Sequence, residues 1–223
     1  MRHDTGTRRA GWWAIGLFCV GWAATWWDPR WPVEQALHNS LTVLALAGLV
    51  VGYARRVLPT SSLLLGLGFL TVHVVAARWI YSFVPYDDWS RVLSGVSLSE
   101  TFGWERNHFD RLVHACYGAC VGPIAFGLLV ERRPGRDRWA ALRAVEIVLS
   151  TSAFYELFEF GVALTLAPDA TESYVGQQGD VWDPHRDIAL AVGCAIVTVS
   201  AVAPARRRRA RPAERAPAVT QPG

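Results

Sequence analysis

The sequence predicts an all-α, polytopic membrane helix bundle with six transmembrane helices. Three observations indicate this fold class: 52% of the 223 residues are hydrophobic, 11 are Trp, and several long stretches carry no charge. A spanning helix needs about 20 mostly apolar residues, and a soluble domain of this size rarely contains several such stretches. Six stretches come close to that length, at residues 11–27, 36–54, 60–83, 109–130, 139–166 and 187–205.

The distribution of basic residues predicts the orientation of the spans, because cytoplasmic loops carry the excess of Lys and Arg. The chain has no Lys, so the arginines decide. Those that fall on one side are Arg2, Arg8, Arg9, Arg55, Arg56, Arg132, Arg133, Arg136, Arg138 and six between Arg206 and Arg215. The opposite loops contain Arg30, Arg91, Arg106 and Arg186. Both termini are therefore predicted to be cytoplasmic.

The two ends of the chain each allow two interpretations. The first stretch is interpreted as an uncleaved span rather than a signal peptide, because Trp26 and Trp27 stand where a cleavage site needs small residues. With no internal repeat or soluble domain visible, residues 1–205 are predicted to form a single membrane domain. Residues 206–223 are predicted to be a basic, disordered cytoplasmic tail, which serves as a topology signal or binds anionic lipid.

Cysteine placement argues against a disulfide framework. Cys19, Cys116, Cys120 and Cys194 all lie within predicted spans, so no cysteine lies in the outer loops, where disulfides form. Gly118, Ala119 and Gly122 alternate with two of these cysteines. We expect these small residues to form a face on which another helix packs closely.

Polar side chains recur at helical spacing within the predicted spans. The fourth span carries such a stripe at Asn107, Asp110, Arg111, His114 and Tyr117. Similar stripes are Ser152, Tyr155, Glu156 and Glu159 in the fifth span, and Gln35, His38, Asn39 and Thr42 in the second. His73 and Tyr81 lie on nearly one face of the third span, and Asp180, Asp183 and Asp187 lie at the start of the sixth. All of these groups fall in the outer half of the membrane, which predicts one polar cavity open to the outer face.

The residue types in this cavity predict a divalent-metal site. Neutral imidazoles and carboxylates together suit Zn or Mn, whereas Mg or Ca needs mostly oxygen ligands. The candidate metal ligands are Asp110, His114, Glu156, Glu159, His73, Asp183 and Asp187. Two facing helices would supply four of them, as in carboxylate helix bundles. A metal-bound water would then permit hydrolysis or transfer on a lipid-linked substrate.

Catalytic and substrate-binding roles follow from the same stripes. The catalytic candidates are Glu156, Glu159, His114 and Asp110, and the substrate-binding candidates are Arg106, Arg111, Asn107, His108 and Tyr155. The two arginines would clamp a phosphate group. The sequence contains no H-E-x-x-H, G-x-S-x-G or P-loop motif, which narrows the enzyme classes, and whether the chain is an enzyme stays open.

Other interpretations of these residues stay open as well. Asp183 directly precedes Pro184, which is typical of a helix N-terminus, and His38 and His73 could each be satisfied buried histidines. Asp110 and Arg111 could form a structural ion pair. At the level of function, the alternatives are an ion- or proton-coupled transporter and a non-catalytic binding or assembly protein. Membrane lipid is the expected partner and nucleic acid is not.

Three motifs in order, RNHFDRLVH, SAFYELFEF and GQQGDVWDPHRDIAL, resemble those of the YjdF-like family of bacterial inner-membrane proteins, whose function is unknown. His73 followed by YSFVPY is similar to the third-helix pattern of that family, and the resemblance covers about residues 35–200. It implies a multi-pass protein of the bacterial inner (plasma) membrane. The signature positions that it implies are Arg106, Asn107, His108, Asp110, Arg111, His114, Tyr155, Glu156, Glu159, Gln178, Gly179, Asp180, Trp182, Asp183 and Asp187. A weaker likeness to VanZ-like membrane proteins implies an envelope-related role.

Overall fold

The computed structural model describes residues 2–166 and 178–214. The helices are α1 (Arg2–Ala24), α2 (Pro32–Ala54), α3 (Thr60–Arg78), α4 (Tyr86–Ser94), α5 (Leu98–Phe102), α6 (Phe109–Arg132), α7 (Asp137–Leu166) and α8 (Asp183–Glu214). These two ranges contain no β-strand, so the predicted all-α class is confirmed for them. Residues 176 and 177 of the third motif and residues 215–223 of the predicted tail lie outside the described residues.

Five of the described helices are long and apolar enough to cross a membrane. They are α2, α3, α6, α7 as far as Thr165, and α8 as far as Pro204. The first predicted span, 11–27, corresponds to the later part of α1, which ends at Ala24. Helix α1 is not among the five, because the sequence RHDTGTRR at its start lowers its hydropathy.

Two helix ends differ from the sequence prediction. The predicted third span ran to residue 83, but α3 ends at Arg78 because the backbone turns sharply there. Ile80 and Tyr81 have φ angles of 40° and 59°, a left-handed conformation that is uncommon for any residue with a side chain and strained for β-branched Ile. At the other end of the chain, α8 continues to Glu214 and thus extends past the predicted start of the tail at residue 206. Ala and Arg favour helix, which accounts for this extension.

Helix α6 lies at the centre of the bundle and packs against α3, α7 and α8, while α1 and α2 both pack on α3. Its closest approach is to α8: a Cβ added at Gly118 would lie 1.8 Å from the carbonyl oxygen of Ala191. One turn further, Gly122 faces Ala195 and Val199. The predicted small-residue face therefore packs on α8 through its glycines.

The segment between α3 and α6 contains the two short helices α4 and α5. Their connection is held by Asp87, whose Oδ1 accepts hydrogen bonds from the Ser97 hydroxyl and the Ser99 backbone N–H, both at 2.9 Å. Trp79 and Trp89 pack edge to face across the segment. The segment thus lies at the end of the bundle where α3 ends and α6 begins, beside the polar stripes.

Candidate functional site

The polar stripes of five helices meet at one end of the bundle. Helices α2, α6 and α8 begin at this end, while α3 and α7 end there. The buried polar side chains that they contribute include Gln35, His38, Asn39, Thr42, His73, Asp110, His114, Ser152, Glu159, Asp183 and Asp187. We call this the polar end of the bundle. Its composition agrees with the convergence of stripes that the sequence predicts.

Within the polar end, Asp110, His114 and Asp187 form the tightest group of possible metal ligands. One ligand atom from each lies within 4.8 Å of the others, and all three side chains are buried. Asp110 and His114 are one turn apart on α6, and Asp187 lies one turn into α8. The Gly118–Ala191 contact lies one further turn along both helices, so the close helix packing is what brings these side chains together.

Glu156 of α7 completes the surroundings of His114. The Nε2 atom of His114 lies 3.3 Å from Oε1 of Glu156 and 3.6 Å from Oδ1 of Asp110. The Glu156 Oε1 atom is buried and has no hydrogen-bond partner among the described residues, since its 3.3 Å contact with the ring lacks hydrogen-bond alignment. The Oδ1 atom of Asp187 is likewise buried without a partner in the described part of the chain. Two buried carboxylate oxygens in this part of the polar end, Oε1 of Glu156 and Oδ1 of Asp187, therefore lack hydrogen-bond donors among the described residues.

Glu159 and His73 belong to a neighbouring part of the polar end. Glu159 Oε1 lies 3.7 Å from Nδ1 of His38. His73 contacts the backbone oxygen of His38 through Nε2 at 3.3 Å, and its Nδ1 lies 2.5 Å from the Tyr81 hydroxyl. The Tyr81 hydroxyl in turn lies 3.3 Å from that of Tyr155. These predicted ligands thus join a chain of tyrosines and histidines beside the Asp110 group.

A cluster of arginines and aspartates covers the mouth of the site. Both terminal nitrogens of Arg106 donate to the two carboxylate oxygens of Asp183, one of them over 3.1 Å. Arg111 donates to Asp180 over 2.7 Å and lies 3.5 Å from Asp183, and Arg186 also donates to Asp180. Asp183 is therefore held by arginines, which agrees better with a structural ion pair than with its predicted role as a metal ligand.

Three ionisable groups of this cluster, all outside the spans, have shifted pKa values, and two of them are Arg106 and His108. Burial alone would lower the pKa of the Arg106 guanidinium, but its hydrogen bond with Asp183 and the negative charge of that residue raise the pKa above its usual value. For His108, burial and then the positive charges of Arg111 and Arg106 lower the pKa. These surroundings therefore favour the charged form of Arg106 and the neutral form of His108.

Asp180 is the second anion of this cluster. Burial would raise the pKa of its carboxyl group, but the hydrogen bond from the backbone N–H of Trp182 and the charge of Arg186 together lower it. The Trp182 N–H lies 3.1 Å from Oδ1 of Asp180, in the turn that leads into α8. Gly179 has a φ of 83° in this turn, a conformation that glycine adopts without strain.

The remaining predicted binding residues fix the entry to α6. The side-chain oxygen of Asn107 accepts from the backbone N–H of Phe109 at 3.0 Å, and its amide donates to the oxygen of Val84 at 2.8 Å. Gln178 accepts from the Asn107 backbone N–H at 2.9 Å and donates back to its carbonyl at 3.2 Å. His108 packs its ring on Trp104, with the ring centroids 4.6 Å apart. Asn107 and His108 therefore hold the start of α6 in place.

A cavity of about 270 Å³ lies between α2, α3, α6 and α7, and residues of the polar end form part of its wall. His73, Tyr81, His114 and Tyr155 line it near the polar end. Phe69, Tyr117 and other apolar side chains line the rest of its walls. The cavity is therefore mainly apolar, with its polar groups gathered at one end, and in this it differs from the polar cavity that the sequence predicts.

Sequence periodicity did not predict that the polar residues of α2 face two different neighbours. Gln35 donates to the Thr25 oxygen and Asn39 accepts from the Trp22 indole, so both face α1 rather than the site. His38 faces Glu159 instead, and Thr42 lines the cavity. Arg186 was also missed as a partner of Asp180, because Asp180 lies in the turn before α8 and helical periodicity does not relate the two residues.

Comparisons with known proteins give the family of this chain. The profile of the family described as "Predicted membrane protein (DUF2238)" matches residues 10–208. The chain is 31% identical over 172 residues to "Inner membrane protein YjdF" of Escherichia coli (strain K12), which covers 73% of this chain and 78% of the relative. No solved structure matches the chain. The resemblance expected from the three motifs is thus confirmed.

Proposed function

We propose a metal-binding role for this chain, which belongs to the DUF2238 family of predicted membrane proteins. In this proposal Asp110, His114 and Asp187 hold one divalent cation at the polar end of the bundle. One imidazole and two carboxylates suit Zn or Mn, and Mg or Ca would need further oxygen ligands. The cation would serve hydrolysis or group transfer on a lipid-linked substrate of the cell envelope.

The observation that carries the proposal is the pair of buried carboxylate oxygens on Asp187 and Glu156 that have no hydrogen-bond partner among the described residues. A buried carboxylate without a partner is strongly destabilising, and a cation offsets that cost. The distance of 3.6 Å from His114 Nε2 to Oδ1 of Asp110, a second proposed ligand, also supports it. Tetrahedral ligands with bonds of about 2.0–2.2 Å lie about 3.3–3.6 Å from each other.

The positions of the side chains around the proposed ion suggest a separate chemical role for each of them. A bound divalent cation would polarise the reacting group and lower the pKa of a bound water. Glu156, beside His114, would accept the proton of that water as a general base. Arg106 and Arg111 at the mouth would contact phosphate oxygens of the substrate, in competition with Asp180 and Asp183.

Metal analysis tests this role directly. The protein is purified in mild detergent without chelator, and its Zn, Mn, Mg and Ca contents are measured together with those of Asp187→Asn. The matched control is Glu146→Gln, which changes an exposed carboxylate on α7 towards the other end of the bundle. We expect near-stoichiometric metal in the wild type and the control, and its loss in a folded Asp187→Asn protein. Absence of metal from the wild type, with no divalent-ion affinity on titration, would overturn the proposal.

We also propose six spans, with α1 as the first and both termini in the cytoplasm. The support is the side on which the arginines accumulate, together with the uncharged stretch that follows Arg9 in α1. Reporter fusions test the orientation. A fusion after residue 104 should give high alkaline phosphatase activity, and a fusion at residue 223 should give cytoplasmic fluorescence. The reverse pattern would overturn the orientation and place the polar end at the cytoplasmic face.

Proton-coupled transport is a second candidate, because Tyr155, Tyr81 and His73 form a chain of hydroxyl and imidazole groups inside the bundle. Such chains can carry protons within membranes. Tyr81→Phe breaks the chain, so it would abolish proton flux into liposomes if this function holds, while leaving metal content unchanged. The absence of both metal and flux would favour the non-catalytic binding or assembly role that the sequence also allows.

A further inference from the structure

The cavity between α2, α3, α6 and α7 opens at the side of the bundle, between α2 and α7. Ala45 of α2 and Phe154 of α7 both line the cavity and are exposed, with Phe154 62% exposed. The two helices touch nearer the polar end, where His38 lies 3.7 Å from Glu159 and Leu37 packs on Val162. This lateral opening between α2 and α7 therefore faces the hydrocarbon region that surrounds a spanning helix.

The cavity runs along the bundle with its polar groups at one end. On α3 and α6 the imidazole lies nearer the polar end and an aromatic ring lies about one turn further, as His73 with Phe69 and His114 with Tyr117. The Tyr117 hydroxyl donates to Thr151 and its ring packs against Phe69, which closes the floor. A lipid of the leaflet at the polar end has the same polarity, with its head group at that end and its chains directed towards the middle of the bilayer.

Two hydroxyl groups in the cavity have no hydrogen-bond partner among the described residues. They are Thr42 Oγ1 on α2 and Ser152 Oγ on α7, whose side chains belong to residues only 1% and 2% exposed. A threonine or serine inside a helix commonly donates to a carbonyl one turn back, but the His38 carbonyl, one turn before Thr42, is already contacted by His73. Buried hydroxyls without partners are unfavourable, so their occurrence on both sides of one cavity indicates a ligand with a hydrogen-bond acceptor.

We propose that this cavity binds one acyl chain of a glycerolipid, with the ester carbonyl of that chain accepting hydrogen bonds from Thr42 and Ser152. The chain enters from the bilayer between Ala45 and Phe154, and the lipid head group reaches His114 and its neighbouring carboxylates. A glycerolipid is thus the substrate class of the metal-dependent reaction proposed above, and this inference rests on that proposed function. A polyprenyl phosphate fits less well, because its hydrocarbon chain has no acceptor to place at the two hydroxyls.

Photocrosslinking in reconstituted vesicles tests the proposal. The probe is phosphatidylglycerol with a diazirine near the ester end of one acyl chain, and adducts are mapped by peptide mass spectrometry. Wild-type protein should be labelled on cavity residues of α2 and α7. Ala45→Phe should lower this labelling about tenfold, while the matched control Ala47→Phe, at an exposed position of α2 outside the cavity, should leave it unchanged.

The role of the hydroxyls has its own variant. Thr42→Val with Ser152→Ala keeps the cavity apolar but removes both donors, so labelling should fall about three- to thirtyfold. Equal labelling in the wild type, Ala45→Phe and Ala47→Phe, or equal labelling by a diazirine polyprenyl phosphate, would overturn the proposal. Metal content is measured on the same samples: bound metal without cavity labelling would refute the lipid site alone, and labelling without metal would refute the proposed metal function alone.

Discussion

Near one end of the bundle Arg106 pairs with Asp183, whose side chain is 2% exposed, whereas near the other Arg143 pairs with Glu146, whose side chain is 42% exposed. The first pair joins residues 77 positions apart, on the segment before α6 and the start of α8, while the second joins neighbours three positions apart on α7. An exposed local pair contributes little to stability, but breaking a buried pair leaves an uncompensated charge. The comparison teaches that the buried pair between distant residues should contribute far more to stability than the exposed pair within one helix.

The largest effect that distinguishes the two ends is expected for Arg106→Ala. The variant leaves Asp183 buried without its bidentate partner, which should lower the free energy of unfolding by about 3–5 kcal/mol. Arg143→Ala is the matched variant and should cost about 0–1 kcal/mol, since its pair is exposed. Unfolding in mixed micelles with increasing denaturing detergent measures both. Similar losses in the two variants would show that burial does not separate these pairs.

The next largest effect concerns the helix contact that supports the polar end. Gly118→Ala places a Cβ against the backbone of Ala191, so α6 and α8 must move apart, at a cost of about 1–3 kcal/mol. The same displacement would separate Asp110 and His114 from Asp187 and weaken metal binding.

Gly161→Ala is the control for this contact, because a Cβ at Gly161 meets no atom within 4 Å. It should be neutral or stabilise the protein by up to about 1 kcal/mol, as expected for Gly→Ala within a helix. The same denaturing-detergent titration serves, with metal content as the second readout. Equal stabilities for the two glycine variants would mean that α6 and α8 are not held in close contact at Gly118.

The smallest effect is expected for the pH dependence of the stability that Asp180 contributes beside Arg106, Arg111 and Arg186. The folded protein lowers the pKa of Asp180, so the carboxylate favours the folded state above its unfolded pKa of about 3.9, and this contribution is lost as the pH falls through the lower folded pKa. The stability difference between the wild type and Asp180→Asn should therefore shrink as the pH falls from 6 towards 3. Glu146→Gln, towards the other end, should show little difference from the wild type at any pH. A difference for Asp180→Asn that does not change with pH would contradict the assignment.

Much of the fold and part of the site could be predicted from the sequence. Helical periodicity correctly put Asp110 and His114 on one buried face, because residues four apart in a helix always share a face. The apolar stretches identified five helices that the structure also gives as candidate spans. Both kinds of signal are local, because each depends only on the residues of a single helix.

The rest depended on how the helices are rotated against each other, which periodicity within one helix does not contain. Nothing in the sequence required Arg106 to pair with Asp183 rather than with Asp110, or Gln35 to face α1 rather than the cavity. Tyr81 reaches His73 through a left-handed turn after α3, although the sequence predicted the same neighbourhood from a longer helix. The prediction that Tyr81 lies near His73 was therefore correct, but the predicted helix that led to it was too long.

The long separation between Arg106 and Asp183 has a consequence for biogenesis. The ribosome makes about 5–20 residues per second, so the 77 positions between the two residues correspond to roughly 4–15 s of synthesis. During this time α6 carries Asp110, Arg111 and His114 without the partners that α8 later brings, and a charge within the membrane costs about 2.5–3.5 kcal/mol even on insertion scales. The start of α6 should therefore remain near the insertion machinery or the water interface until α8 emerges, so the polar end is assembled last.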